Sequence, residues 1–169
     1  MDKYSKKYME EHCIDVFFKC GKFPIHVLTA GSLLPDALND IVRNRTLQQI
    51  TEAFSSNGPG APTISVNKQY VQLLLGKWDS YIEYGNQKNH PGHSDFLQRP
   101  DEEKITSRFR FYAGQGFYSY DCSEVYTDGT AEYRLMAWPD TLSSKTTLDL
   151  PEFSPAGFGA ANPPDRFVM

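Results

Sequence analysis

Residues 105–138 read ITSRFRFYAGQGFYSYDCSEVYTDGTAEYRLMAW, and the fold turns on how this stretch pairs with itself. Two glycine-bearing turns divide it. Gly114-Gln115 suits a type II′ turn, which wants Gly first, and Asp128-Gly129 suits a type I′ turn. Across the first turn Phe109 would meet Tyr120 and Phe111 would meet Tyr118. Across the second, Cys122 would meet Leu135 and Tyr126 would meet Ala131. All of these share one face, which is then the buried one, while Arg108 opposite Asp121 and Ser123 opposite Arg134 share the other. A slip of one residue would bury the charges. The expectation is a three-stranded antiparallel meander.

Upstream, residues 13–29 read as a β-hairpin around Gly21-Lys22, with Val16 against Val27, Phe18 against Ile25 and Cys20 against Phe23. That face is wholly apolar. Asp15, Phe17, Lys19, Pro24, His26 and Leu28 fall on the other, outer face, and Pro24 places its strand at an edge or at a strand start. Ser32 is a candidate N-cap, and Leu34, Ala37, Leu38, Ile41 and Val42 form a helical stripe. A capping box at Thr46 opens either a second helix or the second half of a bent one. Thr63 to Val66 suits a short strand. Asn67 then caps a helix reaching about Tyr84, with Tyr70, Val71, Leu74, Leu75, Trp78, Tyr81 and Ile82 along its apolar side. Asp101-Glu102-Glu103 reads as a solvated loop or a helix start.

Thr146 to Leu150 suits a further strand. Residues 151–169 are rich in Pro and Gly, with Phe153, Phe158 and Phe167 spaced along them. The reading is therefore a single α+β domain over residues 1–150 and a C-terminal tail over 151–169. It has an N-terminal hairpin, two or three helices, and a C-terminal antiparallel meander with helices on one sheet face.

The length of 169 residues supports one core without staples. The net charge of −4 is uneven: residues 111–169 carry 3 basic and 8 acidic side chains, whereas residues 1–110 carry 14 and 13. An acidic chain argues against nucleic acid, whose phosphates need a basic surface. An acidic last third suits a basic protein partner. No apolar run approaches a membrane span, and the charged start resembles no secretion signal. A cytoplasmic setting with reduced Cys13, Cys20 and Cys122 follows; their odd number and spacing fit neither a disulfide framework nor a zinc ribbon.

The best catalytic constellation is His90, His93 and Asp95, two imidazoles and a carboxylate within six residues that suit a divalent metal. Pro91 and Gly92 leave that geometry unenforced. His12 and His26 read as surface or interface residues. The polar side of the expected meander supplies the candidate binding residues Arg108, Arg110, Asp121, Glu132, Arg134 and Trp138, of which Arg and Trp are typical interface anchors. The rings lie on the opposite side, which disfavours base stacking on this sheet. The leading expectation is a small protein-binding module, such as a toxin-neutralising immunity protein, with no cofactor and no metal. The alternative is a metal-dependent hydrolase or nuclease using His90, His93 and Asp95.

Overall fold

The computed structural model describes residues 2–53, 62–87, 98–142, 148–159 and 161–169. Among them are four helices, α1 (Lys6–Glu11), α2 (Ile41–Ala53), α3 (Lys68–Gln87) and α4 (Glu102–Gly114). The strands are β1 (Asp15–Cys20), β2 (Phe23–Leu28), β3 (Ile64–Val66), β4 (Tyr118–Val125), β5 (Ala131–Pro139) and β6 (Arg166–Val168). They form one mixed sheet in the order β1-β2-β4-β5-β3, with β6 also on β5. The fold is α+β, as its sequence predicts.

The hairpin β1–β2 has the expected register, Val16↔Val27, Phe18↔Ile25 and Cys20↔Phe23. Gly21 turns at φ +59°, where only glycine is unstrained. β2 is not an edge strand: from Ile25 onward it pairs β4 in parallel, and Pro24 lies at its start, beyond that ladder. Asn67 caps α3 by accepting the Tyr70 N–H at 3.0 Å.

The segment read as the first strand of the meander is the helix α4. Asp101 accepts the Lys104 N–H at 2.7 Å, and Glu102 and Glu103 sit in the first turn, where the helix dipole favours anions. The buried residues Thr106, Phe109, Tyr112 and Ala113 follow helical spacing. Gly116, at φ +97°, ends the helix in a Schellman motif: its N–H donates to Ala113 O (2.9 Å) and that of Phe117 to Tyr112 O (3.1 Å). Gly114-Gln115 is therefore the last turn of a helix, and no Phe109–Tyr120 strand pairing exists.

The β4–β5 hairpin forms with a different register. The Gly129 N–H donates to Tyr126 O and the Tyr126 N–H to Thr130 O, giving a three-residue loop with Gly129 at φ +89° instead of a two-residue I′ turn. Irregularities at Ser119/Tyr120 and Cys122/Glu124 then set Cys122 against Tyr133 and Asp121 against Arg134. Ser32 caps no helix; its hydroxyl is 2.6 Å from the Tyr133 hydroxyl. A single helix, α2, starts only at Ile41, where Asp40 accepts the Arg43 N–H at 3.0 Å.

Both sheet faces are covered. On one, Phe17, Met136 and Ala137 meet Leu47 of α2, Tyr70, Val71 and Leu75 of α3, and Phe109, Tyr112 and Ala113 of α4. On the other, Val16, Phe18, Ile25, Val27, Tyr120, Tyr133 and Leu135 pack with Met9, Leu34, Leu38 and Phe167. The C-terminal segment belongs to this second layer. Phe153 lies edge-on to Phe18 at 5.5 Å, and Phe167 stacks on Tyr133 at 5.4 Å. Residues 148–150 carry no strand, and residues 146–147 of the expected strand lie outside the described residues. No described helix is long and apolar enough to cross a membrane.

Candidate functional site

On the side of the sheet that carries α2, α3 and α4, the β4–β5–β6 ladders bring three charged residues into one row. Asp121 lies opposite Arg134, and Arg134 lies opposite Arg166. Directly opposed residues share a face. Two guanidinium groups in adjacent strands repel, and Glu132 sits between them: its carboxylate accepts from Arg134 Nε at 3.0 Å and lies 3.8 Å from Arg166 Nη1. Ser123 adds a hydroxyl donated to the same carboxylate at 2.9 Å. The Glu132 side chain is 15% exposed, against 34% for Arg134 and 66% for Arg166, so the acid lies beneath and the cations above.

Asp121 is held by α3, where the Tyr70 hydroxyl donates to its Oδ2 at 2.9 Å. The Arg134 guanidinium sits 5.7 Å from the Tyr70 ring centroid, a cation–π distance. Burial pushes the Asp121 carboxyl up to about 6, and the Tyr70 hydrogen bond offsets only part of that. Burial also raises Tyr70, with the Asp121 charge adding to it. Burial opposes the Glu132 charge as well, but the hydrogen bonds from Arg134 and Ser123 and the two cations win, holding it below the usual range.

Of the six predicted binding residues, Asp121, Glu132 and Arg134 come together here. The other three do not. Arg108 lies on α4 and pairs with Asp15, not opposite Asp121. Arg110 is exposed on the same helix. Trp138 packs on the far face of the sheet, because the irregularity at Ser119/Tyr120 reverses the alternation of β5 beyond Met136. Tyr70, Ser123 and Arg166 belong to the cluster but were missed. Arg166 was legible only as one charge in a Pro-rich tail, and Tyr70 as one ring of a helical stripe.

A second polar cluster is sealed inside. Contrary to its outer-face reading, His26 is fully buried. Its Nδ1 is 2.6 Å from Ser119 Oγ and its Nε2 is 2.9 Å from Asp15 Oδ1; Arg108 reaches the other Asp15 oxygen. The outer face of the hairpin is thus the face that α4 covers. Burial lowers His26, against the pull of Asp15. Burial opposes the Asp15 charge, but the His26 N–H and the Arg108 guanidinium outweigh it, so Asp15 stays below its usual range. The three side chains are ordered as a Ser-His-Asp relay, yet Ser119 and His26 have no exposed surface. A nucleophile must meet its substrate, so this arrangement works as internal cement.

Burial pushes the Cys122 thiol up to about 11, so it is protonated and unreactive at neutral pH. His90, His93 and Asp95 lie outside the described residues. Among the described residues, no three metal-ligating side chains cluster. Comparison with protein-family models, curated proteins and solved structures returns no match to this chain.

Proposed function

We propose that this protein is a protein-binding module, of which a dedicated inhibitor of the immunity-protein kind is one concrete form, and that it recognises its partner through Asp121, Glu132, Arg134 and Arg166. The observation that carries the reading is that three of these charges, Asp121, Glu132 and Arg134, are held in place before any partner arrives. Glu132 is held by two hydrogen bonds, from Arg134 Nε and Ser123 Oγ, with Arg166 in a looser ion pair at 3.8 Å, and Asp121 is kept at an energetic cost beside Tyr70. Prepaid ordering of charged side chains is what a specific interface requires, because immobilising them on contact costs about 0.5–1.5 kcal/mol each. A polar group that lowers stability is expected where function needs it.

The test is affinity capture from the native cell with the wild-type chain and with an Arg134→Glu, Arg166→Glu double variant of matched thermal stability. Quantitative mass spectrometry should show one or a few proteins retained by the wild type and depleted at least about tenfold from the variant. An unchanged captured set rejects the reading.

A further inference from the structure

A second row lies beside the first on the same ladders, and it narrows the partner's chemistry, given the recognition reading above. We propose that the partner presents a lysine or arginine side chain, from a protein segment, to Glu124, with the aliphatic stem of that side chain lying on Tyr126 and Val168. Glu124 is directly opposite Glu132, and Glu132 is directly opposite Val168, so the three share one face. Carboxylates that face each other across a ladder repel. Glu132 has its compensation, because Arg134 and Arg166 both turn to it. Lys77 of α3 is a further cation near these rows, and its charge acts on Asp121. Glu124 is exposed and pairs with no cation among the described residues. It is the carboxylate of this face at which an arriving cation relieves a repulsion that nothing else offsets.

The surroundings favour a cation on an apolar stem. Val168 is 40% exposed and Tyr126 37%, so both leave large side chains open in the free chain. The Tyr126 hydroxyl feels the charges of Glu124 and Glu132, so its ring borders the same two carboxylates. Lysine and arginine lay their methylene stems along such surface and keep the charge at the tip, where a tyrosine face also attracts it. A bare divalent ion is served poorly: Glu132 already accepts from Ser123 and Arg134, and such an ion takes six or more oxygens. The 8 acidic and 3 basic side chains of residues 111–169 draw a cationic segment to this end of the sheet. The first row keeps its two arginines, so the partner surface is mixed, with its basic residue at Glu124.

The experiment is an NMR titration of the isotope-labelled full chain at low salt with hexalysine and, separately, hexaglutamate, following the Glu124 amide and the Val168 methyl signals. Hexalysine should shift both signals saturably. Glu124→Gln should weaken its binding about three- to fivefold, the range of one exposed ion pair. Glu103→Gln, an equal loss of charge at an exposed position on α4, should change it less than twofold. Unchanged unfolding midpoints will show that both variants keep the fold. No saturable shift with hexalysine, an effect of Glu124→Gln no larger than that of Glu103→Gln, or tighter binding of hexaglutamate overturns the proposal. If hexalysine fails while the Arg134→Glu, Arg166→Glu variant still loses its captured protein, the recognition face stands and only the basic contact at Glu124 falls.

Discussion

The Ser119 hydroxyl donates to Nδ1 of His26 across 2.6 Å, at a point where neither residue touches solvent. The direction follows from the other ring nitrogen. Asp15 is ionised and can only accept, so Nε2 carries the proton and Nδ1 is left as an acceptor for Ser119. Each polar atom has one partner, and the partners come from β1, β2, β4 and α4. Ser119→Ala should cost about 1–3 kcal/mol by leaving a buried acceptor unpaired. Asp15→Ala should cost about 3–5 kcal/mol by stripping Arg108 and His26 of their shared carboxylate. Urea unfolding measures both. Changes under about 0.5 kcal/mol would mean that the relay does not hold the hairpin to α4.

His26 gives the stability a pH dependence. Its folded-state pKa is below the value of about 6.5 for the unfolded chain. Its contribution is therefore intact above pH 6.5 and is lost as pH falls below it, because the unfolded chain takes up a proton that the folded chain refuses. Asp15, also lowered, adds a second loss below about pH 3.9. Asp121 acts in the opposite sense between these limits, so the measurement belongs in an Asp121→Asn background. There, unfolding free energy should fall between pH 6.5 and 5, and a further His26→Gln exchange should flatten that slope. A slope that survives the exchange would assign it elsewhere.

Asp121 itself makes a separable prediction. Its pKa is raised to about 6 by burial, so the folded state holds its charge reluctantly. Its favourable contribution is complete below the unfolded value near 3.9 and is lost as pH rises through 6. Asp121→Asn should therefore stabilise the protein at pH 7.5, on the order of 1–3 kcal/mol, and by little at pH 4. The amide oxygen can still accept from Tyr70. Destabilisation at pH 7.5 would show that the carboxylate is part of the structural frame.

The C-terminal segment should be indispensable. Phe167 lies 4.8 Å from the Tyr120 ring and stacks on Tyr133, and the backbone of Met169 exchanges two hydrogen bonds with Ala131. Phe167→Ala should cost about 3–5 kcal/mol, read as a drop in melting temperature. An unchanged melting temperature would detach the segment from the core.

Two glycines separate strain from space. Gly21 and Gly129 both have positive φ, +59° and +89°, but an added Cβ meets nothing at Gly21 and comes within 2.6 Å of Leu33 Cγ at Gly129. Gly21→Ala should cost about 1–2 kcal/mol. Gly129→Ala should cost about 1–3 kcal/mol more, because Leu33 must move. Equal effects in thermal unfolding would contradict the packing of Leu33 on the loop.

What was legible in the sequence was local. The β1–β2 register follows from one Gly turn and one apolar face, and the start of α3 from Asn67 ahead of a 3.6-residue stripe. Residues 105–113 misled because Phe109 and Phe111 alternate like a strand while Ile105, Phe109, Tyr112 and Ala113 repeat like a helix. The cap at Asp101 decides it, and that signal sat inside an apparent charge run. Non-local pairing was out of reach. β2 meets β4 in parallel, and His26 and Asp15 acquire Ser119 and Arg108 from 93 residues away in each case. The two irregularities in β4–β5 moved Trp138 to the far face, and no turn residue announces them. Asp121, Glu132 and Arg134 were found because charges on alternate strand positions survive small register errors. Arg166 was not, because its strand is three residues long and lies far along the chain.

The central claim, that the row Asp121–Arg134–Arg166 faces a partner protein, is tested most directly by site-specific photocrosslinking in the native cell. A benzophenone amino acid replaces Arg166 in one variant and Val42, an exposed residue of α2 beside β1 at the other end of the sheet, in a second. The account predicts a discrete crosslinked protein from position 166 and none from position 42. Crosslinking from position 42 alone, or identical products from both, would contradict it.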